Sequence, residues 1–349
     1  TTINNNNKTL YIDQAIEQIH QNAGPAYLEK FYSEEFGPPW LIHLRSVSDE
    51  DKVTVAHAKE EYAPLVYVRI WKCANNQVRF WMTGDLKASI SASLPNNSTY
   101  QVFHMNKDKS KGYFHRIYSN ALPKETSGAG KTVTNYHHRE PCLVTAVRDP
   151  IEHFLSAYNE IEWVQKVHAK IPNVEIGTSF LSKELGSTER FHYFVWDMLQ
   201  QSRIWRASPV LKHAFPMMRV LVPLDKFNLE LSGYLPSLKN LSHTWPKFVA
   251  KTCPHSFPDS MVQENDPHHH QLPLVDMGDS SAGAHKSSGD PFGAYSAAKK
   301  ARENGGPVVC ALCIIHAYDY ACWEDLPDGI PAICKEVYMS PSFRAIFDL

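Results

Sequence analysis

The 349-residue chain contains no run of 18 apolar residues, so no stretch of it reads as a membrane span. It lacks a surplus of either charge: 35 Lys and Arg stand against 37 Asp and Glu, for a formal net charge of −2. That balance argues against a nucleic-acid binder, whose phosphate contacts need a basic excess. It also weakens the case for a densely anionic, heparin-like acceptor unless a basic groove hides inside the neutral total. The start, Thr1-Thr2-Ile3 and four asparagines, is not a signal peptide. Seven cysteines is an odd count and not a dense disulfide framework. Cys310 and Cys313 have redox spacing but sit in an apolar helical run, which reads as two small buried residues. His268-His269-His270 has no spaced partner, and three adjacent histidines on regular backbone do not all face one ion, so no metal is expected. Internal repeats are absent.

What is present is enough apolar material for a large core, 43% hydrophobic and 11% aromatic residues, for which one α/β domain with appendages is the default. The chain is organised around Leu65 to Met82. Leu65 to Ile70 is apolar and β-branched enough for a buried strand, and Val78, Trp81 and Met82 fall at helical spacing, so a strand-to-helix turn lies between. Such a turn presents several backbone N–H groups at the positive end of a helix dipole, where a phosphate or sulfate can be held. Lys72 stands at its mouth. The Gly-x-x-x-x-Gly-Lys-Ser/Thr order of a Walker loop is missing, and the lysine comes first rather than last.

A second strand-to-helix junction follows at Cys142 to Tyr158. Leu143 to Val147 reads as a buried strand, and Pro150 stops it while opening a helix where a missing N–H costs nothing. Ile151, Phe154, Leu155, Tyr158 and Ile161 make one apolar face of that helix. Arg148 at the strand end and Ser156 two turns into the helix can converge on one anion, the guanidinium by paired charge-assisted hydrogen bonds. The bland alternatives are an Arg148–Asp149 ion pair and a solvent-facing serine.

The two junctions together resemble the sulfotransferases that use 3′-phosphoadenylyl sulfate (PAPS), in particular Golgi carbohydrate sulfotransferases and sulfotransferase-like proteins of algae and other protists. The family's Pro-Lys-x-Gly/Ala-x-Thr-Ser/Thr loop is loosely matched by Trp71-Lys72-Cys73-Ala74-Asn75-Asn76-Gln77, where Trp71 replaces the proline, Asn76 the threonine and Gln77 the final Ser/Thr. Its Arg-x-Pro-x-x-Arg-x-x-Ser-x-Tyr segment is matched by Arg148 to Tyr158, with His153 in place of the second arginine. The resemblance implies a P-loop-like parallel β-sheet flanked by helices with long irregular insertions. It implies sulfuryl transfer to a hydroxyl, with a carbohydrate as acceptor and 3′,5′-adenosine bisphosphate as product. Residues 72–77 would hold the 5′-phosphosulfate, Lys72 would stabilise the leaving phosphate, and Arg148 and Ser156 would hold the 3′-phosphate. No metal is needed, since the loop N–H groups and Lys72 neutralise the leaving group. The base would be a histidine, with His104 ranked ahead of His137, and His115 and His138 also open. A catalytically silent relative that binds a glycan or nucleotide remains the alternative.

The resemblance also implies a Golgi-lumenal domain whose N-terminal anchor has been removed, which fits the lack of an initiating methionine. The sequons at Asn7, Asn96, Asn97 and Asn240 add mild support. Residues 1–50 read as an N-terminal extension and 51–349 as a single domain. Thr99 to His104 alternates as a strand, Thr132 to Tyr136 as a short one, and Arg219 to Pro223 as a further apolar strand. Phe191, Phe194, Val195, Met198 and Leu199 mark an amphipathic helix within 188–201. Residues 254–306, rich in His, Pro, Ser, Gly and Asp, read as a long loop or lid, with His285 and Lys286 as cofactor contacts and Lys299 to Arg302 as a second basic cluster. Val308 to Trp323 reads as one apolar helix, and Cys322 with Cys334 as the first choice for a disulfide.

Overall fold

The computed structural model describes residues 41–48, 62–93, 98–105, 141–168, 179–200, 210–221, 230–257, 289–323 and 325–347. Along the chain the strands are β1 (Leu41–Ser48), β2 (Leu65–Val68), β3 (Ser98–Met105), β4 (Cys142–Ala146) and β5 (Gly233–Leu235). The helices in its first half are α1 (Asn75–Trp81), α2 (Lys87–Ser93), α3 (Pro150–His168) and α4 (Thr188–Gln200). The second half has α5 (Met217–Leu221), α6 (Leu241–Thr252), α7 (Ala294–Glu303), α8 (Pro307–Ile315), α9 (Ala317–Cys322), α10 (Ala332–Met339) and α11 (Pro341–Phe347). The chain divides into two compact units, one drawing on Phe36–Val147 and Leu221–Ala284, the other on Arg148–Val220 and His285–Leu349.

The first unit carries the sheet, in the order β3-β1-β2-β4-β5. β2, β4 and β5 are parallel, and β1 joins the edge antiparallel to both β2 and β3. The fold is therefore mixed α/β, with a small open three-stranded parallel sheet flanked by helices. β1 falls where the sequence reads as an N-terminal extension, and β5 has only three residues; neither shows a strand-length apolar alternation of its own. Leu65 and Tyr67 of β2 and Val144 and Ala146 of β4 alternate onto one face, where they join Val78, Trp81, Met82, Leu86 and Ile90 of the first helices and Trp245 and Val249 of α6. Trp245 packs edge-on against both Tyr67 and Trp81, at 5.4 and 6.3 Å between ring centroids. A Cys142–Cys253 disulfide ties the start of β4 to the end of α6.

In the second unit the apolar face expected for α3 is buried, and Phe154 and Tyr158 meet Phe191 and Phe194 of α4 at 4.8 to 6.2 Å. Glu162 and Arg190 cross-link the two helices below those rings. Three sequence expectations about secondary structure fail here. The strand expected at Arg219 to Pro223 is helix α5 over its first residues: Pro216 precedes it, and Asp319, about a hundred residues away, accepts the N–H groups of Met217 and Met218. The helix expected from Val308 to Trp323 breaks at His316, which together with the fully buried Asp319 forms a 2.8 Å contact. Residues 254–306 are not all loop, since α7 lies within them. Its buried stripe is Ala294, Ala297, Ala298 and Ala301, at helical spacing but in a residue too small to stand out as hydrophobic. Asp290 caps α7 by accepting the N–H groups of Tyr295 and Ser296; burial pushes its carboxyl up, but these hydrogen bonds outweigh that and hold it below the usual range.

The disulfide expected at Cys322–Cys334 is Cys313–Cys334 instead, and Cys322 is an exposed free thiol at the end of α9. Cys313 is thus bridged rather than merely buried. Cys310 remains a buried free thiol, pushed up by burial to about 11, and is inert at neutral pH.

Candidate functional site

The turn after β2 is built from beneath. Buried Tyr67 places its hydroxyl 2.8 Å from the Cys73 carbonyl and 2.9 Å from Asn75 Oδ1, which locks residues 73–75 against the strand they have just left. Burial, with the Cys73 thiol beside it, raises the Tyr67 hydroxyl well above its ordinary value, so it stays a neutral donor. Lys72 and Ala74 take left-handed backbone, with φ of 61° and 57°, although neither is glycine. That conformation costs a non-glycine residue about 1–2 kcal/mol, and alternating residues of this kind turn successive N–H groups toward one point. The first helical hydrogen bond is Val78 N–H to Ala74 O. The N–H groups of Asn75, Asn76 and Gln77 therefore precede the α1 ladder.

Side chains around the turn divide cleanly. Cys73 and Asn75 are buried beneath it, so only their backbone faces outward, whereas Asn76 and Gln77 are exposed and Lys72 is half-buried. The Asn75 side chain, expected as an anion donor, is buried beneath the turn instead, where its Oδ1 accepts from the Tyr67 hydroxyl. Arg69, stacked 5.5 Å from Trp71, is lowered from its usual value first by burial, with the like charge of Arg79 adding to the effect against Tyr67. Cations gathered at cost beside unladdered N–H groups form an anion-attracting surface. Beyond α1 the helix widens into a π-turn at Met82–Leu86 before continuing as α2.

His104 lies near the end of β3, opposite Ile42 of β1, which in turn faces Tyr67 of β2. β3 and β2 thus point the same way, and His104 sits at the edge where β2 ends, its backbone about 10 Å from Tyr67 at the usual strand spacing. His137, His115, His138, His285 and Lys286 lie outside the described residues, as does the strand expected at Thr132 to Tyr136.

In the other unit, Arg148 leads into α3 and is half-buried, yet it makes no hydrogen bond or ion pair with any described residue. The same holds for the half-buried Ser156 hydroxyl. The ion pair that would make Arg148 unremarkable is absent, because Asp149 is engaged elsewhere: Oδ1 accepts the Glu152 N–H and Oδ2 the Tyr320 hydroxyl. His153, at the position of the family's second arginine, is 1% exposed and belongs to the core side of α3. Lys299 and Lys300 are exposed on α7, while Arg302 turns back to Glu152 of α3, which also accepts the Tyr295 hydroxyl at 2.8 Å. Tyr295 carries no sequence signal as a neighbour of Glu152, and Arg302, expected in a basic cluster, is placed beside the same carboxylate by the alanine-lined helix α7.

No group of three or more His, Cys, Asp or Glu side chains is arranged to hold a metal ion among the described residues, and no described helix is long and apolar enough to cross a membrane. Comparison with known proteins returns nothing: no family model, no curated protein and no solved structure matches the chain.

Proposed function

We propose that the protein is a sulfotransferase that moves a sulfuryl group from 3′-phosphoadenylyl sulfate to a hydroxyl, with a carbohydrate as the favoured acceptor class. The observation that carries this reading is Arg148: a half-buried guanidinium at a strand-to-helix junction, without a hydrogen-bond or ion-pair partner among the described residues, while each oxygen of the acid next to it accepts from another group. A charge held open in that way suits a phosphate, and the Ser156 hydroxyl, without a partner among the described residues, adds a donor about two turns into the helix that follows. The strained turn at Lys72 and Ala74, with unladdered N–H groups and cationic neighbours, suits a second anion. The P-loop-like character of the sheet belongs to the same reading, and rests on β2 leading into the Lys72 turn and β4 into Arg148.

In this chemistry the acceptor oxygen forms a bond to sulfur as the bond from sulfur to the 5′-phosphate oxygen breaks, and the electron pair stays on that phosphate. Lys72 and the turn N–H groups stabilise the charge growing there. The acceptor proton goes to a base, for which His104, at the carboxyl edge of the sheet, is the candidate with a described backbone position.

Isothermal titration with 3′,5′-adenosine bisphosphate tests the reading. The wild-type chain is expected to bind, and Arg148→Ala to weaken binding about 10- to 100-fold, the loss of a charge-assisted hydrogen-bonded pair. No binding to the wild-type chain sinks the proposal, and unchanged binding by Arg148→Ala removes its main support.

A further inference from the structure

An arginine at the head of a helix beside two acids ordinarily pairs with one of them. For Arg148 the candidates are Asp149, next in the chain, and Glu152, in the first turn of the helix that Arg148 precedes. Each is held by residues from the C-terminal part of its unit. Tyr320 of α9 donates to Asp149 Oδ2 at 2.9 Å, and Asp149 Oδ1 caps α3 through Glu152 N–H at 2.8 Å. Tyr295 of α7 donates to Glu152 Oε2 at 2.8 Å, and Arg302 of the same helix binds Glu152 Oε1. Each oxygen of both carboxylates thereby already accepts one hydrogen bond from a group other than Arg148. Arg148 is close enough to Tyr295 for its charge to act on that hydroxyl, yet it bonds to none of these groups.

We propose that Tyr295, Arg302 and Tyr320 are positioning residues that hold the two neighbouring carboxylates away from Arg148, so that its guanidinium stays open to a phosphate dianion. The arrangement is economical in charge. Arg302 neutralises Glu152, which would otherwise both quench Arg148 and repel an incoming anion. Tyr320 and Tyr295 restrain the acids without adding charge of their own. The sequence pattern hides this, because Tyr295 and Arg302 lie 143 and 150 residues from Glu152.

The inference rests on Arg148 being an anion-binding group, and a test that needs no ligand separates the two ideas. Phenylglyoxal reacts fastest with arginines that are not ion-paired, and peptide mass spectrometry reads the rate at Arg148 alone. In the wild-type chain Arg148 is expected to react readily. In the Tyr295→Phe/Arg302→Met double variant Glu152 is released, and the rate at Arg148 is expected to fall about two- to fivefold, as a partly exposed ion pair would lower it. Adding Glu152→Gln to that double variant is expected to restore the rate, an outcome that a merely structural role for Tyr295 and Arg302 would not produce. Tyr320→Phe with and without Asp149→Asn, which keeps the cap, repeats the test with a smaller disturbance of packing. An unreactive Arg148 in the wild-type chain, an unchanged rate in both released variants, or a slowing that neither carboxamide reverses overturns the proposal. A final arm adds 3′,5′-adenosine bisphosphate to the wild-type chain. If the variant pattern holds but the bisphosphate gives no protection, the nucleotide reading fails while the positioning role stands.

Discussion

Lys72→Ala is expected to lower sulfuryl transfer about 10²- to 10³-fold in turnover while leaving the affinity for 3′,5′-adenosine bisphosphate within a few-fold of wild type. The split follows from where the charge develops. Lys72 would act on an oxygen whose negative charge grows as the sulfur bond breaks, so its contribution is larger in the transition state than in the bound ground state. The turn is pinned from the buried side by the Tyr67 hydroxyl on the Cys73 carbonyl and Asn75 Oδ1, contacts that the substitution leaves in place. Release of the bisphosphate from 3′-phosphoadenylyl sulfate, with carbohydrate acceptors supplied, is the measurement, and circular dichroism checks that the variant is folded. Near-normal turnover in the variant would remove Lys72 from the mechanism. A wild-type chain that binds the bisphosphate but transfers to no hydroxyl acceptor would favour the silent, ligand-binding relative.

Arg190→Ala is expected to destabilise the unit containing α3 and α4 by about 3–5 kcal/mol, read as a lower urea midpoint. Glu162 is fully buried and Arg190 nearly so; Nε and Nη2 meet the two carboxylate oxygens at 2.6 and 2.8 Å. Nη1 goes to the carbonyls of Leu181 and Lys183, which fastens the turn before α4 to the same guanidinium. Removing the arginine leaves a buried carboxylate with no counter-charge and two carbonyls short of a donor. Replacing both partners, as in Glu162→Leu/Arg190→Met, should cost much less than the single change, because no charge is then stranded. Equal losses for the single and double variants would contradict that account.

The two strand-to-helix junctions were legible because local chemistry writes them. The apolar β-branched run before Lys72, the proline at 150 and the regular spacing from Ile151 to Ile161 each act within a few residues. What was not legible depends on partners far along the chain. Asp319 caps α5 from about a hundred residues away, so Arg219 to Pro223 looked like a strand with no hint of its true neighbour. Cys313 rather than Cys322 reaches Cys334 because the chain breaks at His316, between the two cysteines, and a buried histidine in an apolar run carries no local signal of a break. α7 was missed for a different reason: alanine fills its buried stripe, and hydrophobic periodicity is read from larger side chains. At the site, Lys72, Arg148 and Ser156 could be singled out from motif order, but the strain at Lys72 and Ala74 and the sequestering of Asp149 and Glu152 exist only in three dimensions.

The Cys142–Cys253 bridge spans 111 residues, and that stretch includes all of Arg148–Val220, the middle segment of the other unit. A protease that nicks the chain once anywhere inside this stretch would leave two fragments still covalently joined. On a denaturing gel they would migrate as a single species until a reductant was added. Because each unit is assembled from separated lengths of polypeptide, no contiguous fragment carries either one whole without a large part of the other, and dissection by simple truncation would give unfolded pieces rather than working halves.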